Sequence, residues 1–237
     1  MRTRFQGLAV LAIAGALAAA PASAADNSPI TVHVRVEGKT KTLFDGKVKT
    51  RGHKVEGNDG SGPHKCNGTN AGAHPTAGPT LLAAFDDARR KAGLTWNATW
   101  FKSFEDFNIN RIGPDSSDTK NNRYWGQVLN YKDTQVGGCQ QRIKPGDDVL
   151  IAYDSFGHAK LKLSGPHSAT AGHKVTFTVV DGQTGKPFQG AVVRGHATGK
   201  NGHVKLTFAS AGTYRLKAHA KDAVRSNRLK VQVGAAH

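Results

Sequence analysis

Ile30-Thr31-Val32-His33-Val34-Arg35-Val36 places an apolar side chain at every second position, with Thr31, His33 and Arg35 between them. Successive side chains of a strand point to opposite faces, so a period of two predicts a half-buried strand with one apolar and one wet side. Glu37-Gly38-Lys39 then supplies a turn into a second strand over residues 41–50, giving a β-hairpin. A chain that opens this way is building a sheet, and the segments on either side extend that reading.

Residues 51–79 hold seven glycines and three prolines and almost no bulky apolar side chain, which predicts a long surface loop without a core of its own. A helix follows. Thr80 after Pro79 can cap its start, Leu81, Phe85, Ala88 and Ala92 recur at the spacing of one helical face, and Gly93 can end it. Arg89, Arg90 and Lys91 fall in the last turn, where cations favour the negative end of the helix dipole. Strands are then predicted over 94–101, 104–112, 124–131 and 149–153, each rich in β-branched or aromatic residues and bounded by Gly, Pro, Asn and Asp. From about residue 159 the pattern changes to six short strands, 160–163, 174–180, 188–194, 203–208, 213–220 and 228–233, with Asp181-Gly182, Thr184-Gly185 and Asn201-Gly202 as turns. That spacing belongs to a β-sandwich. The fold class expected is mainly β: an α+β, β-grasp-like N-terminal domain over 26–155, a sheet plus one helix, followed by an all-β Ig-like sandwich over 159–234.

At the other end, Arg2 and Arg4 precede an apolar run over 8–20, and Pro21 breaks that run before Ala22-Ser23-Ala24. This is a signal-peptide pattern over residues 1–24, too short to span a bilayer, so the mature chain is expected to be secreted, free or associated with the cell wall, with no transmembrane anchor. Removing Arg2 and Arg4 from the 33 Lys and Arg leaves 31 against 17 Asp and Glu, a net charge of +14. Such a charge attracts polyanions, for an exported protein wall polymers, anionic lipid or extracellular DNA. It is spread along the chain with no dense basic block interleaved with aromatics, which argues against a specific nucleic-acid partner. Export also places the two cysteines, Cys66 and Cys139, where disulfides persist, and predicts that they pair. In the chain-entropy picture a link between positions 73 apart stabilises by about 4 kcal/mol.

Catalytic signatures are missing: no nucleophile elbow, no helical histidine pair, no phosphate-cradling loop and no dinucleotide fingerprint. His53, His64 and His74 crowd near Cys66, but a paired cysteine cannot ligate zinc. Residues 56–60 and the aspartates of 115–118 lack calcium-loop spacing and read as turns, as does Asp147-Asp148 after Pro145-Gly146. No enzyme, metal or cofactor is expected. The informative side chains are Trp96, Trp100, Tyr124, Trp125 and Tyr131, gathered in the first domain as either core or a stacking face.

The order Thr42-Leu43-Phe44-Asp45-Gly46, Thr80-Leu81-Leu82, Ile109-Asn110-Arg111-Ile112-Gly113, Tyr124-Trp125, Val128-Leu129-Asn130, Gly137-Gly138-Cys139 and Lys144-Pro145-Gly146-Asp147 resembles the transcobalamin-like C-terminal domain. That family is a β-grasp type module found in many secreted bacterial proteins. The resemblance spans about residues 29–155. In the animal vitamin carriers of the family the module closes over one face of cobalamin while a helical barrel holds the other, and this sequence contains no such barrel. The resemblance implies a ligand face on Tyr124 and Trp125 and on the neighbouring strand Ile109, Asn110, Arg111 and Ile112. Gly185-Lys186-Pro187, Gly190-Ala191-Val192-Val193 and Ala211-Gly212-Thr213-Tyr214 are similar to the Ig-like or carboxypeptidase-regulatory-like sandwiches of bacterial surface proteins, which implies a spacer or adhesion module. The function expected is a secreted, non-catalytic binding or surface-interaction protein whose partner is a cobalamin-like small molecule, a wall polymer or a protein. The alternatives are a basic structural protein retained at the cell wall by charge, and a corrinoid-binding module.

Overall fold

The structure is a computed structural model that describes residues 27–236; the signal peptide expected over residues 1–24 lies outside them. The described residues are mainly β with one α-helix. Strands β1 (Ile30–Glu37) and β2 (Thr42–Thr50) form the expected hairpin, with Val32, Val34 and Val36 buried on one face of β1.

The coreless loop expected over 51–79 is corrected. β3 (His53–Glu56) and β4 (Pro63–Cys66) pair antiparallel within it, and Val55 and Cys66 are fully buried. Four of its glycines, Gly52, Gly57, Gly68 and Gly78, permit close packing. A Cβ on Gly57 would stand 2.3 Å from the Ala98 carbonyl oxygen, and one on Gly52 would stand 2.4 Å from that of Gly78. Cys66 is disulfide-bonded to Cys139, as expected, which ties this hairpin to the far end of the half.

Helix α1 (Leu81–Lys91) starts where the sequence places it, with Thr80 Oγ1 accepting from the Ala83 N–H at 3.3 Å. It stops at Lys91, and Gly93 follows the Ala92 cap at φ +64°. Its buried face of Leu81, Leu82, Phe85 and Ala88 packs into the core. Next come β5 (Trp96–Phe101), β6 (Asp106–Ile112), β7 (Asp115–Ser116), β8 (Trp125–Leu129), β9 (Lys132–Asp133) and β10 (Asp148–Tyr153). β10 returns parallel to β1, which puts the first and last long strands of this half side by side in a sheet of order β2-β1-β10-β8-β9. Between β2 and β8 the chain makes one long crossover that includes α1 and the three-stranded sheet β5-β6-β7. The crossover covers one face of the five-stranded sheet, and the core lies between the two.

The remaining strands are β11 (Ala159–Ser164), β12 (Ser168–Thr170), β13 (Lys174–Asp181), β14 (Val192–Val193), β15 (His196–Ala197), β16 (His203–Thr207), β17 (Gly212–Leu216), β18 (Ala218–His219), β19 (Ala223–Val224) and β20 (Leu229–Gly234). They form sheets of order β16-β13-β11-β19, β12-β20-β17 and β15-β14-β18 around a second core that includes Leu163, Phe177, Leu206, Leu216 and Val231. The strand expected over 188–194 shrinks to two residues because the left-handed conformations of Gly190 and Arg194, φ +79° and +50°, bracket it.

The uncovered face of the five-stranded sheet receives this C-terminal half. Val128, Leu150 and Ala152 form a small apolar cluster with Val224. Around it, carboxylates of the first half meet cations of the second. Glu37 accepts from Lys217 and Arg225, Asp45 faces Arg228 at 3.5 Å, and Lys160 donates to Asp133 at 2.6 Å. The Arg35 guanidinium donates to the Arg225 carbonyl at 2.6 Å. Glu37, Arg35 and Lys160 are each at most 2% exposed, so both signs of charge are desolvated together and partnered across the junction.

Candidate functional site

The six positions the resemblance marks divide by burial. Ile109, Ile112 and Trp125 are core residues; the Trp125 ring meets Tyr153 edge-on at 5.7 Å. Tyr124, Asn110 and Arg111 reach solvent. The Asn110 amide donates to Thr99 Oγ1 at 2.8 Å and to Asn97 Oδ1 at 3.1 Å, and the Arg111 guanidinium to the Gly113 carbonyl at 3.2 Å. These two line a shallow polar depression with Ser116, Ser117 and Thr119, and Tyr124 does not line it. Among the aromatics, Trp96 and Trp125 are buried, whereas Trp100, Tyr124 and Tyr131 are half-buried.

A different surface holds the exposed apolar side chains. Phe104 is 65% exposed and Phe101 and Val136 are each 44% exposed, three of the four large hydrophobics exposed among the described residues. All three line one groove of about 490 Å³, which also takes in Asp106, Asn108 and Gln140. Clustered exposed apolar groups with a few polar atoms at their margin are what a binding groove presents.

The groove is braced. β5 and β6 are joined by a tight turn in which the Phe104 N–H donates to the Phe101 carbonyl at 3.1 Å. The Gln140 side-chain amide donates to the Phe104 carbonyl at 2.8 Å, and that of the fully buried Asn70 donates to the Glu105 carbonyl at 2.8 Å. Glu105 sits at φ +47°, a conformation that costs a non-glycine residue free energy and is kept only when its surroundings hold it. Its carboxylate accepts from the Ala71 N–H at 2.7 Å. Below the turn, Asp106 accepts from the N–H groups of Phe107 at 2.7 Å and Cys139 at 2.9 Å. Burial outweighs these bonds and pushes its carboxyl up to about 6. The floor is aromatic: Phe107 packs edge-on against Trp100 at 4.8 Å, and Trp100 stacks on His64 at 4.0 Å. Phe104 and Phe101 thus stand on a turn whose backbone supports reach back to the disulfide.

Sequence reasoning assigned Phe101 and Phe104 to strands and did not single out the groove. Its trace is Phe101-Lys102-Ser103-Phe104, two phenylalanines at the ends of a turn where polar residues are usual, with Val136 before Gly137-Gly138.

A second, larger cleft of about 680 Å³ lies between the halves, lined in part by Lys39, Arg123, Tyr153, His158, Lys217 and Arg225. Its cations are already engaged. Lys39 sits over the Tyr153 ring at 4.8 Å, Arg123 faces Asp154 at 3.5 Å, and Lys217 and Arg225 hold Glu37. That makes it a junction first. Among the described residues no group of three or more His, Cys, Asp or Glu could hold a metal ion, and no helix is long and apolar enough to cross a membrane.

No family model matches this chain and no curated protein matches it. Among solved structures it is similar to one described as haptocorrin in complex with Cbi, at 12% identity and a TM-score of 0.38, over 54% of this chain. The match spans 25% of that protein's chain.

Proposed function

We propose that this chain is an exported, non-catalytic binding protein, a β-grasp-like module over 26–155 locked to an Ig-like sandwich over 159–234, which takes the apolar face of its ligand in the Phe101, Phe104 and Val136 groove. One observation carries the reading: the exposed aromatics stand on a turn held by Asn70, Gln140 and a strained Glu105. Ordering such side chains before the ligand arrives lowers the entropic cost of binding. The test is amide chemical-shift mapping of the oxidised mature protein with N-phenyl-1-naphthylamine, a neutral apolar probe. Saturable shifts confined to residues 101–108 and 135–140 support the groove; shifts elsewhere, or none, contradict it.

Corrinoid capture is the second reading. Tyr124, Asn110 and Arg111 keep solvent contact on the two segments that the transcobalamin-like resemblance marks. Titration with cyanocobalamin separates the readings: binding lost in Tyr124→Ala and kept in Phe104→Ser favours this one, and the converse favours the groove.

A further inference from the structure

The cations that look scattered in the sequence do not stay scattered in the fold. β2 is an edge strand, the chain turns from it through Gly52 into β3, and the last turn of α1 comes alongside. This brings Lys49, Arg51, Lys54 and Arg90 to one open groove of about 450 Å³, in which the only carboxylate is Asp87. Among the described residues Lys49, Arg51 and Lys54 have no carboxylate partner. Lys47, also exposed, continues the row along β2, and Lys91 donates to its carbonyl at 3.0 Å. Arg90 leans on the buried Asp86 at 2.6 Å, a carboxylate shared with Arg89 and His53, so local positive charge exceeds negative.

We infer that this groove binds a linear phosphodiester polymer that carries no bases, of the polyol phosphate type found in cell walls. Three features select that chemistry. Lys47 and Lys49 alternate on β2, about 6.7 Å apart, and Arg51 follows directly after the strand, so the three offer a row of charges to a repeating anion rather than a cage for a single one. The groove is open, as a polymer passing through it requires. No Phe, Tyr or Trp lines it, so it lacks the stacking platform on which proteins hold single-stranded nucleic acid. The site is separate from the apolar groove and does not depend on it.

The test uses the oxidised mature protein and synthetic poly(glycerol phosphate), with affinity measured against salt concentration. The variant Lys49→Ala/Arg51→Ala/Lys54→Ala changes only exposed side chains, and its circular dichroism checks the fold. A matched control changes Lys174, Lys200 and Lys205 of the C-terminal half to Ala. We expect at least a tenfold weaker affinity in 50 mM salt for the first variant alone. The slope of log K against log salt should fall by about 2 for the three lost phosphate contacts. Equal losses in both variants would reduce the effect to net charge and overturn the groove. So would unchanged binding in the first. Tighter binding of a single-stranded oligonucleotide than of poly(glycerol phosphate), at equal phosphate, would overturn the assignment to a polymer without bases.

Discussion

Arg225 Nε donates to Glu37 Oε2 at 2.8 Å across 188 positions of sequence. Lys217 donates to the other oxygen of the same carboxylate, which is 2% exposed. The C-terminal half is therefore joined to the sheet through desolvated charge as well as apolar contact.

Removing that carboxylate leaves the buried Arg35 and the half-buried Lys217 and Arg225 without it. Glu37→Ala should cost about 3–5 kcal/mol in urea denaturation, and protease should then cut the connection near residues 154–158 faster than in the wild type. A loss below about 1 kcal/mol would mean the junction does not rest on this network.

The disulfide closes a loop over a sequence separation of 73. The double variant Cys66→Ala/Cys139→Ala should lose about 4 kcal/mol, read as a lower urea midpoint. Two thiols titrating in the denatured, unreduced mature protein would contradict the pairing itself.

Asp106 gives the first half a pH dependence. Its carboxyl rises from 3.8 to about 6 on folding, so the folded state holds its proton more tightly than the unfolded state does. The sign follows from linkage: its contribution is most favourable below pH 4 and is lost as pH rises through 6, by roughly 3 kcal/mol. A carbon-detected titration of the Asp106 carboxyl should find its midpoint near 6, and a midpoint near 4 would contradict the burial argument.

His33 acts in the alkaline range. The carboxylates of Asp148, 3.8 Å from the ring, and Asp45, hydrogen-bonded at 2.9 Å, raise its pKa to about 9 against the opposing effect of burial. The stabilisation is complete below pH 6.5 and lost as pH rises through 9. His33→Gln should flatten the stability profile between pH 7 and 9, and an unchanged profile would place the imidazole's titration elsewhere.

Much of this architecture is legible in residue order because its causes are local. The alternation of Val32, Val34 and Val36 and the cap at Thr80 each express a preference within a few residues. The hairpin within 51–79 was hidden because its support comes from outside: Val55 and Cys66 join a core supplied by distant residues, and Gly52 and Gly57 read as loop residues when their task is to let backbones touch. Tyr124, Asn110 and Arg111 remain at the surface while Trp125, Ile109 and Ile112 face the core, a division that depends on which face of each strand the crossover covers. The apolar groove was hidden for the same reason. Phe101 and Val136 lie 35 positions apart and meet only through the chain's return to Cys139.

The central claim is that the Phe101, Phe104 and Val136 groove is where ligand binds, and fluorescence titration with N-phenyl-1-naphthylamine tests it most directly. Wild-type protein should show saturable, one-to-one, blue-shifted emission. The variant Phe104→Ser/Val136→Ser should lose it at least tenfold while keeping its urea midpoint, because both side chains are already substantially solvated. Equal binding by variant and wild type, or no saturable binding by either, would contradict the account.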